Sequence, residues 1–550
     1  MMTKTYLIIL MIIMSNYSFS QEPEWSWSKS EGNAGMENGN YITVDNNGNI
    51  IAIGDFNSPF LDLGNITIDN EGFYDAFIVK YDSLGNVLWG RSIGGSLNDF
   101  PIIVNTDNQN SIYVSGFFSS QQLNLDGDIL INDYSPSNNA FIVKYDSNGN
   151  YLWGESFGQS GDEMSFGLST DQDNNVYMSG MFNSESLTFG SSTINNQGGD
   201  DMFVLKYDTD GNKIWIKGFG DIGNENVRGL SVDENNEIVI IGEFDGPYTS
   251  IGGNVLYNQG AFDLFFIRLS STGDVLWANS YGGNRDDKSI SISIDDLGNT
   301  FVTGFFLSDT LAFESYKLEG GTPGNGEIWL VKLDQSGHVS WAIDNGGALF
   351  DKGIGVVNDG MGGAFLTGYY ISESLSFGDY TIYNNGDETR DFYIAKYNSV
   401  GTPLWAYGSG GVNKDFGFSL CRFQDQIYAT GKFESPNITF GETTLTNSST
   451  NQTSDMFVCK LSNALSLGNT SKRFQDDVIV YPNPNNGSFK IQGHLESEVF
   501  YEITTTNGQI ISSGILNNTL EMHQIPFGIY FIQLFYKNKN PIVKKIIVNQ

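Results

Sequence analysis

Short apolar runs of six to eight residues alternate along most of the chain with turns rich in Asn, Asp and Gly. In one stretch they fall at Phe100 to Asn105, Ser111 to Phe118, Ala140 to Tyr145 and Tyr151 to Ser156. Runs of this length, rich in β-branched and aromatic residues and bounded by turn residues, predict strands. We denote the four strands a to d. The c–d turn reads Asp82-Ser83-Leu84-Gly85-Asn86, then Asp146-Ser147-Asn148-Gly149-Asn150, then Asp208-Thr209-Asp210-Gly211-Asn212. Gly supplies the positive φ of a tight hairpin and Asp bonds the local backbone.

The four-strand pattern repeats. Trp recurs at Trp27, Trp89, Trp153, Trp215, Trp277, Trp341 and Trp405, in steps of 62 or 64 residues. A Gly-x-aromatic signal recurs in phase, from Gly54-Asp55-Phe56 to Gly431-Lys432-Phe433, as does a basic residue: Lys80, Lys144, Lys206, Arg268, Lys332, Lys396 and Lys460. Each marker counts to seven. A fixed long period of four antiparallel strands predicts a β-propeller. The extra length falls between b and c, where Leu61-Asp62-Leu63-Gly64, Leu187-Thr188-Phe189-Gly190, Leu375-Ser376-Phe377-Gly378 and Ile438-Thr439-Phe440-Gly441 predict an added hairpin on one face. The last unit has a (416–422), b (427–433) and c (456–461) but no Trp, whereas Trp27 precedes any a strand. The N-terminal segment is therefore expected to supply the missing d strand, which removes an open edge. The expected fold is all-β: a seven-bladed propeller over residues 21–462, followed by a small β-sandwich.

The units resemble the seven-bladed propeller repeats of secreted bacterial proteins, over roughly residues 24–461. Asp75-Ala76-Phe77-Ile78-Val79-Lys80-Tyr81-Asp82, with Gly85 and Trp89, carries the resemblance. It implies a fold and no reaction.

Both ends read differently. Lys4, the apolar run Tyr6 to Met14 and the small residues Ser18 and Ser20 make residues 1–20 an export signal, too short in its apolar part to span a bilayer well. The alternative is an uncleaved anchor. Residues 463–475 are polar and read as a linker. Residues 476–550 hold Tyr481-Pro482-Asn483-Pro484 with Gly487, then Gly508, then Gly528 and Tyr530, then Lys544-Lys545. In this order these motifs resemble the C-terminal sorting domain (type A) of type IX secretion cargo. The resemblance implies recognition by that export machinery after passage through the periplasm, and a destination in the medium or on the outer-membrane surface. No transmembrane helix is expected in the mature chain.

Composition narrows the function classes. The net charge of −36 argues against nucleic acid, whose phosphates need Lys and Arg surfaces. The two cysteines, Cys421 and Cys459, fall on strands a and c of one blade, about 9.6 Å apart in a sheet; both are expected to be free and buried, since a disulfide needs closer Cα atoms. His338, His494 and His523 are too scattered for a His-based site.

A carboxylate follows each repeat Trp after ten residues: Glu37, Asp99, Glu163, Glu225, Asp287, Asp351 and Asp415. The pattern places a ring of carboxylates in the d–a connections near the channel mouth. It is either a cation-concentrating field or a scaffold in which each acid caps backbone N–H groups or pairs with the basic residue of strand c. Perfect repetition favours the scaffold, because a site breaks symmetry. The calcium-loop look of Asp208 to Asn212 lacks the distal Glu and is turn chemistry, so no cofactor or metal is expected, calcium being the one candidate. The repeat Trp residues read as core. The loop aromatics Tyr74, Tyr134, Tyr248 and Tyr383 vary between units and are the candidate contacts for a glycan or protein ligand. The expectation is a non-enzymatic binding, adhesion or scaffold protein. The alternatives are a carbohydrate-active hydrolase on the same scaffold, for which no carboxylate pair stands out, and a structural surface component.

Overall fold

The structure is a computed structural model, described here for residues 24–321, 325–386, 388–449, 453–462 and 464, and for seven strands beyond residue 478. The export signal, the 463–475 linker apart from Ala464, and Pro482, Asn483, Pro484, Gly487 and Gly508 lie outside the described residues. The chain divides into two compact units, Met1–Leu465 and Ser466–Gln550.

The first strands are β1 (Glu24–Glu31), β2 (Glu37–Val44), β3 (Ile50–Phe56), β4 (Phe60–Asp62), β5 (Thr67–Asp69), β6 (Asp75–Tyr81) and β7 (Val87–Ile93). β2, β3, β6 and β7 pair in that order as one antiparallel sheet, strands a to d, and β4–β5 is a separate hairpin between b and c. Among the described residues the repeat region forms seven such four-stranded sheets and seven such hairpins, three more hairpins than the quoted motifs marked. In the second sheet the strands are Asp99–Thr106, Ile112–Phe118, Asn139–Tyr145 and Tyr151–Phe157, within one residue of the predicted runs. The seventh sheet closes as expected. β1 pairs with Asp455–Ser462 and supplies its outer strand. The a strands pack side by side in a ring, with Asp415–Phe423 of the last blade against β2. This is a β-propeller.

Its core lies between blades. Every residue of β3 and β6 is buried, because a central strand is covered by a neighbouring blade on each face, whereas the outer strand β7 is mostly half-buried or exposed. The repeat Trp serves the same interface. The Trp89 indole donates to the Ser147 carbonyl at 3.3 Å, in the c–d turn of the next blade, and its ring lies over Gly149. A Cβ on Gly149 would come within 2.8 Å of that ring, and its φ is +81°, so space and conformation both select Gly. Trp27 makes the same bond to Ser83 at 3.2 Å, across the ring closure. Trp405 faces the one blade whose outer strand comes from the N-terminus, so it meets no c–d turn, and its indole N–H has no partner among the described residues.

The Ser466–Gln550 unit holds two antiparallel sheets. One is Ile479–Tyr481, Ser488–Gln492 and Thr519–Glu521. The other is Ile510–Ile515, Phe500–Thr505, Gly528–Phe535 and Ile542–Val548. Tyr481 ends the first strand, Gly528 opens the strand that carries buried Tyr530, and Lys544 and Lys545 lie on the last. No helix among the described residues is long and apolar enough to cross a membrane.

Candidate functional site

The seven in-phase carboxylates do not line a surface. Glu37, Asp99, Glu163, Glu225, Asp287, Asp351 and Asp415 each open strand a, and all seven are fully buried. A ring sealed from water cannot concentrate cations from it. Each acid instead gathers local donors. Asp351 accepts the Ser372 hydroxyl at 2.7 Å and the Gly347 and Ile371 N–H groups at 2.9 Å, and Asp287 and Asp415 repeat this with Ser308 and Ser435. Ser58 and Ser184 bond Glu37 and Glu163 in the same way.

Sequence reasoning missed the second member of each cluster. The first residue of strand c, in Asp75, Asn139, Asp201, Asp263, Glu327, Asp391 and Asp455, faces the a-strand acid of the next blade. Its signal was present, an in-phase acid in six of seven units. Burial, with the neighbouring carboxylate adding to it, pushes Asp75, Glu225, Asp287 and Asp415 up to about 7. Burial raises Glu37 to about 7, and Asp99, Asp263, Asp391 and Asp455 to about 6. At these junctions the carboxyl groups are held out of solvent.

The strand-c basic residues pair with a different set of acids, also missed. Lys80 meets Asp45 at 2.8 Å, Lys144 meets Asp107 at 3.5 Å and Lys206 meets Asp171 at 3.1 Å, while Arg268 bonds Asp233. These acids sit in the a–b turns, where each also accepts backbone N–H groups two and four residues on. The c–d turn acids are likewise turn chemistry: Asp208 accepts the Asp210 and Asn212 N–H groups and the Asn212 amide. Among the described residues no cluster of three or more His, Cys, Asp or Glu has metal-holding geometry.

Tyr134, Tyr248 and Tyr383 are exposed, but they stand in three different blades and are not brought together. Tyr74 is half-buried. Its ring lies 5.9 Å from Phe100, which leads to the channel.

The channel is where the repeat loses its symmetry. Every a strand carries a β-bulge at the same register, between Gly39 and Tyr41 in β2 and at the matching step in the other six. A bulge re-aims one side chain. The seven bulged residues, Asn40, Ile102, Phe166, Arg228, Ile290, Ile354 and Phe418, all line one axial cavity of about 300 Å³. Five are apolar. Two residues before each bulge the strands carry Asn38, Phe100, Met164, Asn226, Lys288, Lys352 and Phe416, all half-buried. At this level blades two and three contribute aromatic and Met side chains, and blades five and six contribute cations.

The cations rest on rings. Arg228 lies 5.7 Å from the Phe166 centroid, Lys288 3.1 Å from Phe262 and Lys352 5.0 Å from Phe305. Arg390 lies 5.3 Å from Tyr369 and 5.6 Å from Phe416, and Lys432 5.1 Å from Phe416. Fully buried Glu243 accepts from Arg228 at 2.7 Å and from Lys288 at 3.5 Å. Asp55 is held by Asn38 and Asn40, both at 2.7 Å. Burial lowers Lys288, Lys352 and Lys432; Glu243 opposes this for the first two and Glu434 and Asp55 for the third, while Arg228 or Arg390 adds to it in each. In a chain of net charge −36, cations this crowded stand out. No period announces them, because each is the exception at its repeat position.

Residues 479–549 match the family model of the secretion system C-terminal sorting domain. The chain is 24% identical over 515 residues to an uncharacterised WD repeat-containing protein of Acanthamoeba polyphaga mimivirus, covering 75% of this chain and 36% of that one. It is 24% identical over 366 residues to the regulatory protein FlaEY of Caulobacter vibrioides, covering 63% and 37%. It thus spans little more than a third of the length of these curated relatives. Among solved structures, it is similar to the Pan2 WD40 domain of Neurospora crassa, with a TM-score of 0.40 and 9% identity over 80% of this chain and 98% of that one. It is also similar to Sqt1 of Chaetomium thermophilum, with a TM-score of 0.32 and 8% identity over 80% and 99%.

Proposed function

We propose that this chain is an exported binding propeller, without catalytic activity, that holds a ligand at the cell surface or in the medium after passage through the periplasm. The sorting domain marks the chain for secretion. The observation that carries the binding reading is the asymmetry at the axis. Seven near-identical blades converge on a cavity whose lining differs from blade to blade. A scaffold role needs the repeat alone; a lining that departs from the repeat at one level serves recognition. The close carboxylate pairs are sealed at the blade junctions, out of a substrate's reach, which favours binding over glycoside hydrolysis. Calcium has no part in this reading. The test is a glycan array and a panel of glycoside substrates, each with and without calcium, on the purified chain. Binding without turnover, independent of calcium, supports the reading. Turnover of any glycoside overturns it.

A further inference from the structure

Resting on that reading of the axial cavity as the binding site, we propose that it takes an oxyanion, a carboxylate or sulfate, carried on an apolar body. The anionic head is held by Arg228, Lys352 and Arg390, and the body by Phe166, Ile354 and Phe418.

Three observations converge. The first is charge without compensation. Arg228 shares Glu243 with Lys288, which leaves that acid with two cations. Lys352 makes no ion pair within 4 Å among the described residues; Glu243 attracts it from farther off, but that acid already faces two cations, and Arg228 and Arg390 repel it. The second is an orphan donor. The Nε of Arg390 is buried and has no hydrogen-bond partner among the described residues. A buried guanidinium N–H without an acceptor is costly, and an oxyanion would satisfy it. The third is the cavity itself, about 300 Å³, apolar on five of its seven bulge positions, with Arg228 on its wall. A fully hydrated inorganic anion would leave that apolar lining unused, and a neutral apolar molecule would leave the cations unpaired. An amphipathic anion answers both.

The experiment is a fluorescence titration of the full chain with 8-anilinonaphthalene-1-sulfonate, run beside N-phenyl-1-naphthylamine, which has the same rings without the sulfonate. Saturable binding of the sulfonate, at least about tenfold tighter than the neutral amine and weakened by salt, is expected. Lys352→Met and Arg390→Met should each weaken the sulfonate about tenfold and leave the amine unchanged, and Lys352→Arg should restore it. Should Lys352→Met melt early, Lys352→Gln serves in its place. Displacement by a hexuronate oligomer marks an acidic sugar as the source of the anion; displacement by dodecanoate marks an aliphatic carboxylate. Equal affinity for both probes, or variants that leave the sulfonate unmoved, overturns the anion assignment while a neutral-ligand cavity stands. Binding of neither probe, together with glycan capture that Tyr248→Ala abolishes, overturns the axial site and leaves the binding reading on the hairpin face.

Discussion

Asp75 and Asp99 face one another across the junction of the first two blades, both fully buried, and the Asp99 charge raises the cost of ionising Asp75. The Asp99 N–H donates to the Tyr74 carbonyl at 2.8 Å, which ties the two strand starts together. Gly94 leaves the room, since a Cβ there would come within 2.1 Å of the Asp75 carboxyl carbon. The same arrangement, with Asn139 replacing one acid, recurs around the ring.

Its consequence is a stability that falls as pH rises. Burial holds Asp75 at about 7 and Asp99 at about 6, above the unfolded carboxylate value near 4. Between about pH 4 and 7 the folded chain binds protons that the unfolded chain has released, so stability is fully present below the unfolded value and is lost through the folded one. The slope is on the order of 1 kcal/mol per pH unit for each proton held. Asp45 and Asp171 act oppositely. Burial raises them, but bonds from Lys80 or Lys206 and from Asn49 or Asn175 outweigh it and lower them, so their contribution is lost only below the ordinary carboxylate range. Thermal melts should give a higher Tm at pH 5 than at pH 8, and Asp99→Asn should flatten that difference. A Tm that rises from pH 5 to 8 would contradict the assignment.

The blade is legible in the sequence because its determinants repeat. Trp89 and Gly149 are coupled through one contact that six of the seven junctions share, so period alone exposes it. The ring of acids was legible as a pattern but not as chemistry. Sequence spacing places Asp99 at the start of a strand, but not whether its carboxylate turns to solvent or to Ser120. The Asp45 and Asp75 positions each hold an acid in six of seven units, beside commoner turn and strand signals that mask them. The channel site was illegible for the opposite reason. Lys352 and Phe100 occupy the same repeat position in different blades, and only the fold shows that such a position faces an axis.

Arg268 is the most heavily paired of the strand-c cations. It is 1% exposed, bonds Asp233, meets Glu237 at 2.7 Å and donates to the Gly298 carbonyl at 3.2 Å. Arg268→Met leaves Asp233 buried without its cation and should cost about 3–5 kcal/mol in urea unfolding. Lys332, at the same position one blade on, donates to the Gly362 carbonyl at 2.8 Å, and Lys332→Met should cost about 1.5–3 kcal/mol. Equal losses would show that the ion pair adds nothing to the position.

Cys421 and Cys459 are free and buried, on strands a and c of the last blade as expected, and burial pushes both thiols up. Thiolate is the reactive form. A thiol reagent at pH 8 should therefore label neither in the folded chain and both in denaturant. Rapid labelling of folded protein would place one of them at the surface.

Ring closure depends on β1, which reaches the last blade from the other end of the sequence. Trp27 does there what the repeat Trp residues from Trp89 to Trp341 do between consecutive blades: its indole donates to Ser83, and its ring lies 6.2 Å from Tyr428. Lys460, opposite Trp27 in the sheet, donates to the same Ser83 carbonyl at 3.1 Å. One carbonyl of the first blade thus receives two donors from the last. Trp27→Ala removes one of these bonds and the packed face of a half-buried ring, a loss below the roughly 3–5 kcal/mol of a fully buried aromatic. The same substitution at Trp89 deletes equivalent contacts between blades that covalent connectivity already holds adjacent. Removal of residues 21–31 goes further, because it strips the outer strand from Asp455–Ser462 and exposes an unpaired edge. Trp27→Ala should therefore melt below Trp89→Ala, and the truncated chain should form concentration-dependent oligomers in light scattering. Equal melting of the two Trp variants, with a monomeric truncation, would mean that the ring is held shut without its N-terminal strand.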